Sequence, residues 1–268
     1  MAVGVSFVAI AQFAPGNDVP ANLAVIRSYS ENAAGRGATL VVFPEYSSFF
    51  EPQLGAASLA AAEAVDGPFV SSLKEIASTL GIHLVAGMLE TMDATHVSNT
   101  LVAVSPAGVV VATYRKLHLY DAFGQRESDI VRAGDIAPPQ TFPWEGFTVG
   151  MQTCYDIRFP EVSRQLVDVG ADLLLVPAEW VRGPLKEHHW RTLVTARALE
   201  NTVYIAAADH APPIGAGNSM VVDPMGVELV TIGDEAGIAV AEVTPERVAA
   251  VRRVNPALAL RRFGTHAL

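Results

Sequence analysis

The chain has 268 residues, with 18 lysines and arginines against 28 aspartates and glutamates, for a formal net charge of −10. Half of it is hydrophobic and only 17% is charged, which supports a large core and excludes disorder as the dominant state. The acidic balance, with no block of basic residues, argues against nucleic acid and anionic membrane surfaces as partners.

The opening segment, MAVGVSFVAIAQFAPG, has no basic n-region and reads as a first core strand rather than a secretion signal. Residues 5–12 form its apolar run. A helix is predicted over 21–34, with Asn22 near its start and Gly35 and Gly37 at its end. A strand follows at 38–43, stopped by Pro44; a helix from about 67 to 80 ends at Gly81, and HLVAGML continues as a strand. NTLVAVSPAGVVVATYR reads as two strands around a Ser-Pro-Ala-Gly turn, and 121–146 as a polar, turn-rich stretch. FTVGMQ is a strand, 159–169 a helix, LLLVP a strand and 188–200 a helix. VYIAAAD, NSMVVDPMGVELVTI and GIAVAEV complete the strands. No apolar run approaches the roughly 18 residues of a membrane span, so a soluble cytoplasmic protein is expected.

The alternation is that of an α/β protein with both sheet faces covered. The second half also echoes the first. GATLVVFPE, from Gly37 to Glu45, returns loosely as GADLLLVPAE, from Gly170 to Glu179. The segment from Asn99 to Gly108 returns between Asn218 and Gly226. Two echoes in the same order predict two pseudo-symmetric halves whose sheets pack face to face with helices outside. No linker divides residues 1–268, so one domain is expected.

Chemistry is sought at strand ends, where loops converge above a rigid sheet. Glu45, Lys116 and Cys154 each stand just beyond an apolar strand, in a chain with one cysteine and three lysines, Lys74, Lys116 and Lys186. A single cysteine excludes an intramolecular disulfide, a Cys-x-x-Cys pair and a zinc ribbon. Taken singly, Glu45 reads as a solvated turn carboxylate, Lys116 as a surface lysine and Cys154 as a buried small hydrophobe. Their coincidence favours chemistry. Cys154 lies where FTVGMQT runs into a helix opened by Pro160, and amides at such a turn favour thiolate and can hold an oxyanion.

The blocks LVVFPE at 40–45, YRKLHLYDAF at 114–123 and CYDIRFPEVSRQL at 154–166 resemble the nitrilase superfamily of carbon–nitrogen hydrolases. Weaker matches at 189–208 and 218–226 extend the resemblance over the whole chain. The resemblance implies a four-layer αββα sandwich, association into a homodimer or higher homo-oligomer, and no metal or organic cofactor. It makes Glu45 the general base, Lys116 and the Tyr155 backbone N–H the oxyanion stabilisers, and Cys154 the nucleophile. Glu127, eleven positions after Lys116, resembles the family's second glutamate; a structural carboxylate pairing Lys116 or Arg126 is the other reading.

The implied reaction is hydrolysis of a small amide to acid and ammonia through a thioester. CYDIRFPE resembles the branch acting on ω-amides of dicarboxylates and on deaminated glutathione. Tyr46, Arg158, Glu179, Trp180 and Arg182 are candidate substrate contacts; a structural pair of Arg158 with Glu161 or Asp156 is the other reading for Arg158. The charged and bulky loop Pro177–Pro184, and Asn218 where histidine is common, depart from that branch. Aliphatic amidase, N-carbamoyl amide hydrolase and nitrilase activities stay open beside it. So do a non-catalytic ligand- or protein-binding descendant of the fold and a papain-like pairing of Cys154 with His118 or His210. His188, His189 and His118 lack a spaced ligand set and read as capping and packing rather than metal ligands. Gly215 and Gly217 form no dinucleotide fingerprint.

Overall fold

The computed structural model describes residues 4–267; the first three residues of the opening segment, and residue 268 of the expected domain, lie outside the described residues. In chain order the elements are β1 (Ser6–Gln12), α1 (Val19–Gly35), β2 (Leu40–Val42), α2 (Ala56–Ala61), α3 (Pro68–Leu80), β3 (His83–Thr91), β4 (Val97–Val104) and β5 (Val110–Arg115). A 3-10 turn follows at Glu127–Asp129, then β6 (Thr141–Trp144), β7 (Phe147–Met151), a second 3-10 turn at Cys154–Arg158, α4 (Pro160–Asp168) and β8 (Leu173–Ala178). The chain continues through α5 (Lys186–Asn201), β9 (Tyr204–Asp209), β10 (Met220–Val222), β11 (Glu228–Thr231), β12 (Gly237–Val243) and α6 (Pro245–Val254).

The strands form two six-stranded sheets, β12-β1-β2-β3-β4-β5 and β6-β7-β8-β9-β10-β11. Read in these orders the sheets correspond strand for strand. β1-β2-β3 and β7-β8-β9 are parallel, and the flanking pairs are antiparallel. The correspondence aligns β2 with β8 and β4 with β10, which are the echoed segments. Two pseudo-symmetric halves are therefore present.

Alternation within each strand builds the layers. Val8, Ile10, Leu40 and Val42 of one sheet meet Leu173, Leu175, Tyr204 and Ala206 of the other in the central core. Their neighbours Ala9, Ala11, Val41 and Phe43 face outward onto Ile26 of α1 and Phe69, Leu73 and Ile76 of α3. In the second half Leu174, Val176, Ile205 and Ala207 pack on Leu166 of α4 and Trp190 and Val194 of α5. The result is the four-layer αββα sandwich. Burial on both faces explains why these strands read as unbroken apolar runs.

Several details depart from the sequence reading. α1 starts at Val19, two residues before the predicted 21, and Asp18 caps it, its carboxylate accepting the Ala21 N–H at 3.0 Å. Asn22 is buried and ties Gly16 to the Ser48 carbonyl at 3.0 Å, fixing the loop after β2. β6 lies inside the stretch 121–146 read as turns; Pro143 masks it, and it is an edge strand, where proline is tolerated. α2 and α6 lie outside the predicted elements, although Thr244 caps α6 ahead of Pro245, a readable start signal. No helix among the described residues is long and apolar enough to cross a membrane.

Candidate active site

β2, β5 and β7 deliver Glu45, Lys116 and Cys154 to one cavity of about 530 Å3. β5 is antiparallel to β4, and β4 to β3, so β5 runs in the same sense as β2. Both residues thus leave the same end of their sheet.

Glu45 is placed by a close approach of two backbones. Gly87 of β3 lies so near that a Cβ there would stand 2.6 Å from the Tyr46 N and 2.7 Å from the Glu45 Cα. Tyr46 follows in the left-handed region at φ 54°. The Glu45 Oε1 accepts Lys116 Nζ at 2.8 Å and the Asn99 amide at 2.5 Å, and Oε2 accepts the Glu179 N–H at 2.6 Å. Glu127 completes the cluster. Its carboxylate takes Lys116 Nζ at 2.9 Å, the Tyr46 hydroxyl, the Asn99 amide at 3.1 Å and the Tyr120 N–H at 2.6 Å. Glu45, Lys116, Glu127 and Tyr46 are all buried.

Cys154 opens its 3-10 turn at φ 46°, a conformation non-glycine residues rarely adopt. Its Sγ–H points to the Glu179 carbonyl at 3.4 Å. The first amides of such a turn have no partner within it, and Tyr155 lines the cavity. Asp156, fully buried, ties this turn to the segment around Lys116. It accepts Thr153 N–H at 3.1 Å, Tyr114 Oη–H at 2.7 Å, His118 N–H at 2.9 Å and His118 Nδ1 at 2.8 Å.

The electrostatics separate the two carboxyl groups. Burial, followed by the charge of Glu127, raises the pKa of Glu45 against the pull of Lys116. Burial works the same way on Glu127, but Lys116 and the hydrogen bonds from Tyr46 and Tyr120 outweigh it and hold Glu127 below its ordinary value. The two carboxyls are thus displaced in opposite directions, Glu127 toward the ionised form beside Lys116 and Glu45 toward the protonated one. Burial opposes the charge of Lys116, yet the two glutamates keep its pKa well above normal. Burial and then the Glu45 charge push the Cys154 thiol well up, toward the thiol form and against the thiolate expected at such a turn. The Glu179 carboxyl is raised well above normal by burial and by Glu45, and its Oε1 has no hydrogen-bond partner.

Of the residues singled out from sequence, Glu45, Tyr46, Lys116, Glu127, Cys154, Tyr155, Glu179 and Trp180 all line the cavity. Arg158 lies behind the lining, its guanidinium 4.8 Å from the Trp180 ring, and pairs with neither Glu161 nor Asp156. Arg182 is not brought to the site: it is exposed and pairs with Glu187 at 3.4 Å. The histidines of a papain-like arrangement also point elsewhere. His118 bonds Asp156, and His210 places Nε2 2.7 Å from the Glu45 carbonyl. Asn99, Asp156 and Lys186 are in or beside the site although the sequence motifs do not mark them as site residues. Asn99 carried one signal, since it opens the echoed segment.

The family model for carbon–nitrogen hydrolases matches residues 7–253. The chain belongs to the carbon–nitrogen hydrolase family. It is a hydrolase of carbon–nitrogen bonds other than peptide bonds, of the amidase kind. A deaminated glutathione amidase of Escherichia coli O157:H7 is 40% identical over 264 residues, covering 96% of this chain and 97% of that protein. The structure of the Caenorhabditis elegans NitFhit protein superposes with a TM-score of 0.89 at 31% identity, over 98% of this carbon–nitrogen hydrolase and 66% of that chain. A mutant of the amidase from Nesterenkonia sp. AN1, with the acetamide moiety of fluoroacetamide covalently added at its active-site cysteine, superposes with a TM-score of 0.77 at 28% identity. That match covers 96% of this chain and 97% of the amidase.

Proposed function

We propose that this carbon–nitrogen hydrolase cleaves the terminal carboxamide of a small substrate, an ω-amide of a dicarboxylate or deaminated glutathione, to acid and ammonia through a thioester on Cys154. The observation that carries the reading is the division of labour between the carboxyl groups beside the thiol. Both meet the Lys116 ammonium beside the thiol, Glu45 at 2.8 Å and Glu127 at 2.9 Å, and with Glu127 shifted down and Glu45 shifted up, Glu45 is the carboxyl suited to take and return a proton. The covalent acetamide on the cysteine of the Nesterenkonia amidase supports the nucleophile.

Glu45 removes the Sγ proton as sulfur bonds to the carbonyl carbon, and the carbonyl oxygen becomes an oxyanion held by Lys116 and the Tyr155 N–H. The carbon–nitrogen bond then breaks as Glu45 delivers its proton to nitrogen, and ammonia leaves. Water attacks the thioester and gives a proton to Glu45; sulfur departs and recovers that proton. Glu127 orients Lys116, Tyr46 and the attacking water. No step calls for a metal or organic cofactor. Glu179 and Trp180 form the wall against which the substrate lies, and Arg158 adds positive potential behind it. The unit spans the whole chain and acts as a homodimer or higher homo-oligomer in the cytoplasm, a state that light scattering after gel filtration tests.

An ammonia-release screen over ω-amides, aliphatic amides, carbamoyl compounds and nitriles tests the activity. Cys154→Ala should abolish release. Turnover surviving in that variant removes the nucleophile assignment. Release from uncharged aliphatic amides alone shifts the reading to an aliphatic amidase, and none from the whole panel favours a binding protein.

A further inference from the structure

Lys186, one of three lysines, opens α5 and is 7% exposed in the wall of the cavity that holds Cys154. Its ammonium lies 4.3 Å from the centre of the Phe123 ring, 4.9 Å from Tyr120 and 5.3 Å from Trp180. It donates one hydrogen bond, to the Tyr120 hydroxyl at 2.8 Å, and no carboxylate pairs with it among the described residues. Arg158 converges on the same rings, 4.8 Å from Trp180 and 5.9 Å from Phe123, with its Nε and Nη2 buried and unpartnered.

Folding alone gives this arrangement little to gain. The first position of a helix is the positive end of its dipole, where a cation is disfavoured. Burial and then the charge of Arg158 lower the Lys186 pKa; Cys154 and Glu179 oppose this weakly. Two adjacent cations taken from water without a counter-ion are a cost that an anion relieves. Arg126, the other arginine in or behind the lining, is exposed and already beside Asp129 at 3.4 Å.

We infer that Lys186 is the specificity-determining residue of the cavity: its ammonium, reinforced by Arg158 across the shared Phe123 and Trp180 rings, binds a carboxylate at the end of the substrate remote from the scissile amide. The inference rests on the amidase reading of the same cavity. The incoming carboxylate replaces the Tyr120 hydroxyl as the partner of Lys186. Because the Tyr120 N–H bonds Glu127 at 2.6 Å, the anion-binding end and the catalytic cluster meet in one residue. The class selected is the monoamide of a short dicarboxylate, in preference to an uncharged amide of equal length.

Two measurements test this in wild type, Lys186→Gln and Lys186→Arg. The first is the ratio of kcat/KM for glutaramate to that for pentanamide. It should fall roughly tenfold or more in Lys186→Gln, which can still donate to Tyr120 but carries no charge, and largely return in Lys186→Arg. An unchanged ratio in Lys186→Gln overturns the inference, and Lys186→Met serves in its place should the glutamine variant not fold. The second is glutarate affinity by calorimetry, expected to weaken roughly tenfold in Lys186→Gln. Equal affinity, or no glutarate binding to wild type, contradicts the anion subsite. Should wild type turn over neither amide yet bind glutarate through Lys186, the amidase reading fails and the subsite stands.

Discussion

Gly87→Ala places a methyl group directly against the backbone that carries Glu45. The added Cβ would stand 2.6 Å from the Tyr46 N, 2.7 Å from the Glu45 Cα and 2.9 Å from its carbonyl carbon. All three are backbone atoms, so no side-chain rotation relieves the overlap. Opening the shortest contact to the 3.4 Å of an ordinary approach needs a shift of about 0.8 Å. Glu45 holds Lys116 at 2.8 Å and the Glu179 N–H at 2.6 Å, and a displacement of that size takes both beyond good hydrogen-bond distance. A misplacement of about 1 Å in a catalytic constellation costs on the order of 100-fold in rate, and overpacking costs about 1–3 kcal/mol in stability. The assay is kcat/KM for ammonia release alongside a urea melt. Gly35→Ala, where an added Cβ meets nothing within 4 Å, is the control. Activity within threefold of wild type in a folded Gly87→Ala protein would refute the placement of Glu45 by this close approach.

Asp156→Asn removes the acceptor for the Thr153 N–H and weakens the ties to Tyr114 and His118; a urea midpoint corresponding to a loss of about 2–4 kcal/mol is expected, with kcat falling as Lys116 and Cys154 lose register. Glu127→Gln should lower kcat on the order of 100-fold. It should also move the acid limb of kcat/KM to lower pH, because removing the Glu127 charge lowers the proton affinity of Glu45. His210 is buried and its pKa is pushed down from 6.5 to about 4. The folded state therefore binds fewer protons than the unfolded state between those values, and stability must rise with pH across that window. The change from this group is roughly 3 kcal/mol. Chemical denaturation of wild type and His210→Gln at pH 4.5 and 7 reads it, and equal pH dependence in the two proteins removes the assignment.

The sequence showed what repeats along the chain and hid what depends on side-chain direction. β2 and β8 are readable because burial on both faces makes unbroken apolar runs; Pro44 follows β2, whereas Pro177 lies inside β8, paired with Ala208. Glu45, Lys116 and Cys154 were readable because strand ends are where loops converge. Asn99 is not, since it sits fully buried on the inter-sheet face of β4, and its reach to the two glutamates follows from the register of β4 against β3 and β5. Residue type makes Arg182 a candidate substrate contact, yet the loop turns it to Glu187 and places Lys186 in the wall instead. That exchange depends on Leu185 adopting φ 60° just before α5, a local conformation its side chain does not advertise. β6 was masked by its proline, whereas α6 carried a Thr-Pro start that periodicity alone did not reveal.

The thioester on Cys154 is the centre of the account, and rapid-quench mass spectrometry tests it most directly. The enzyme mixed with an ω-amide and quenched in acid within one turnover should carry the acyl group on the Cys154 peptide, with one ammonia released per adduct. Steady ammonia release with that peptide unmodified, and with Cys154→Ala still active, would contradict it.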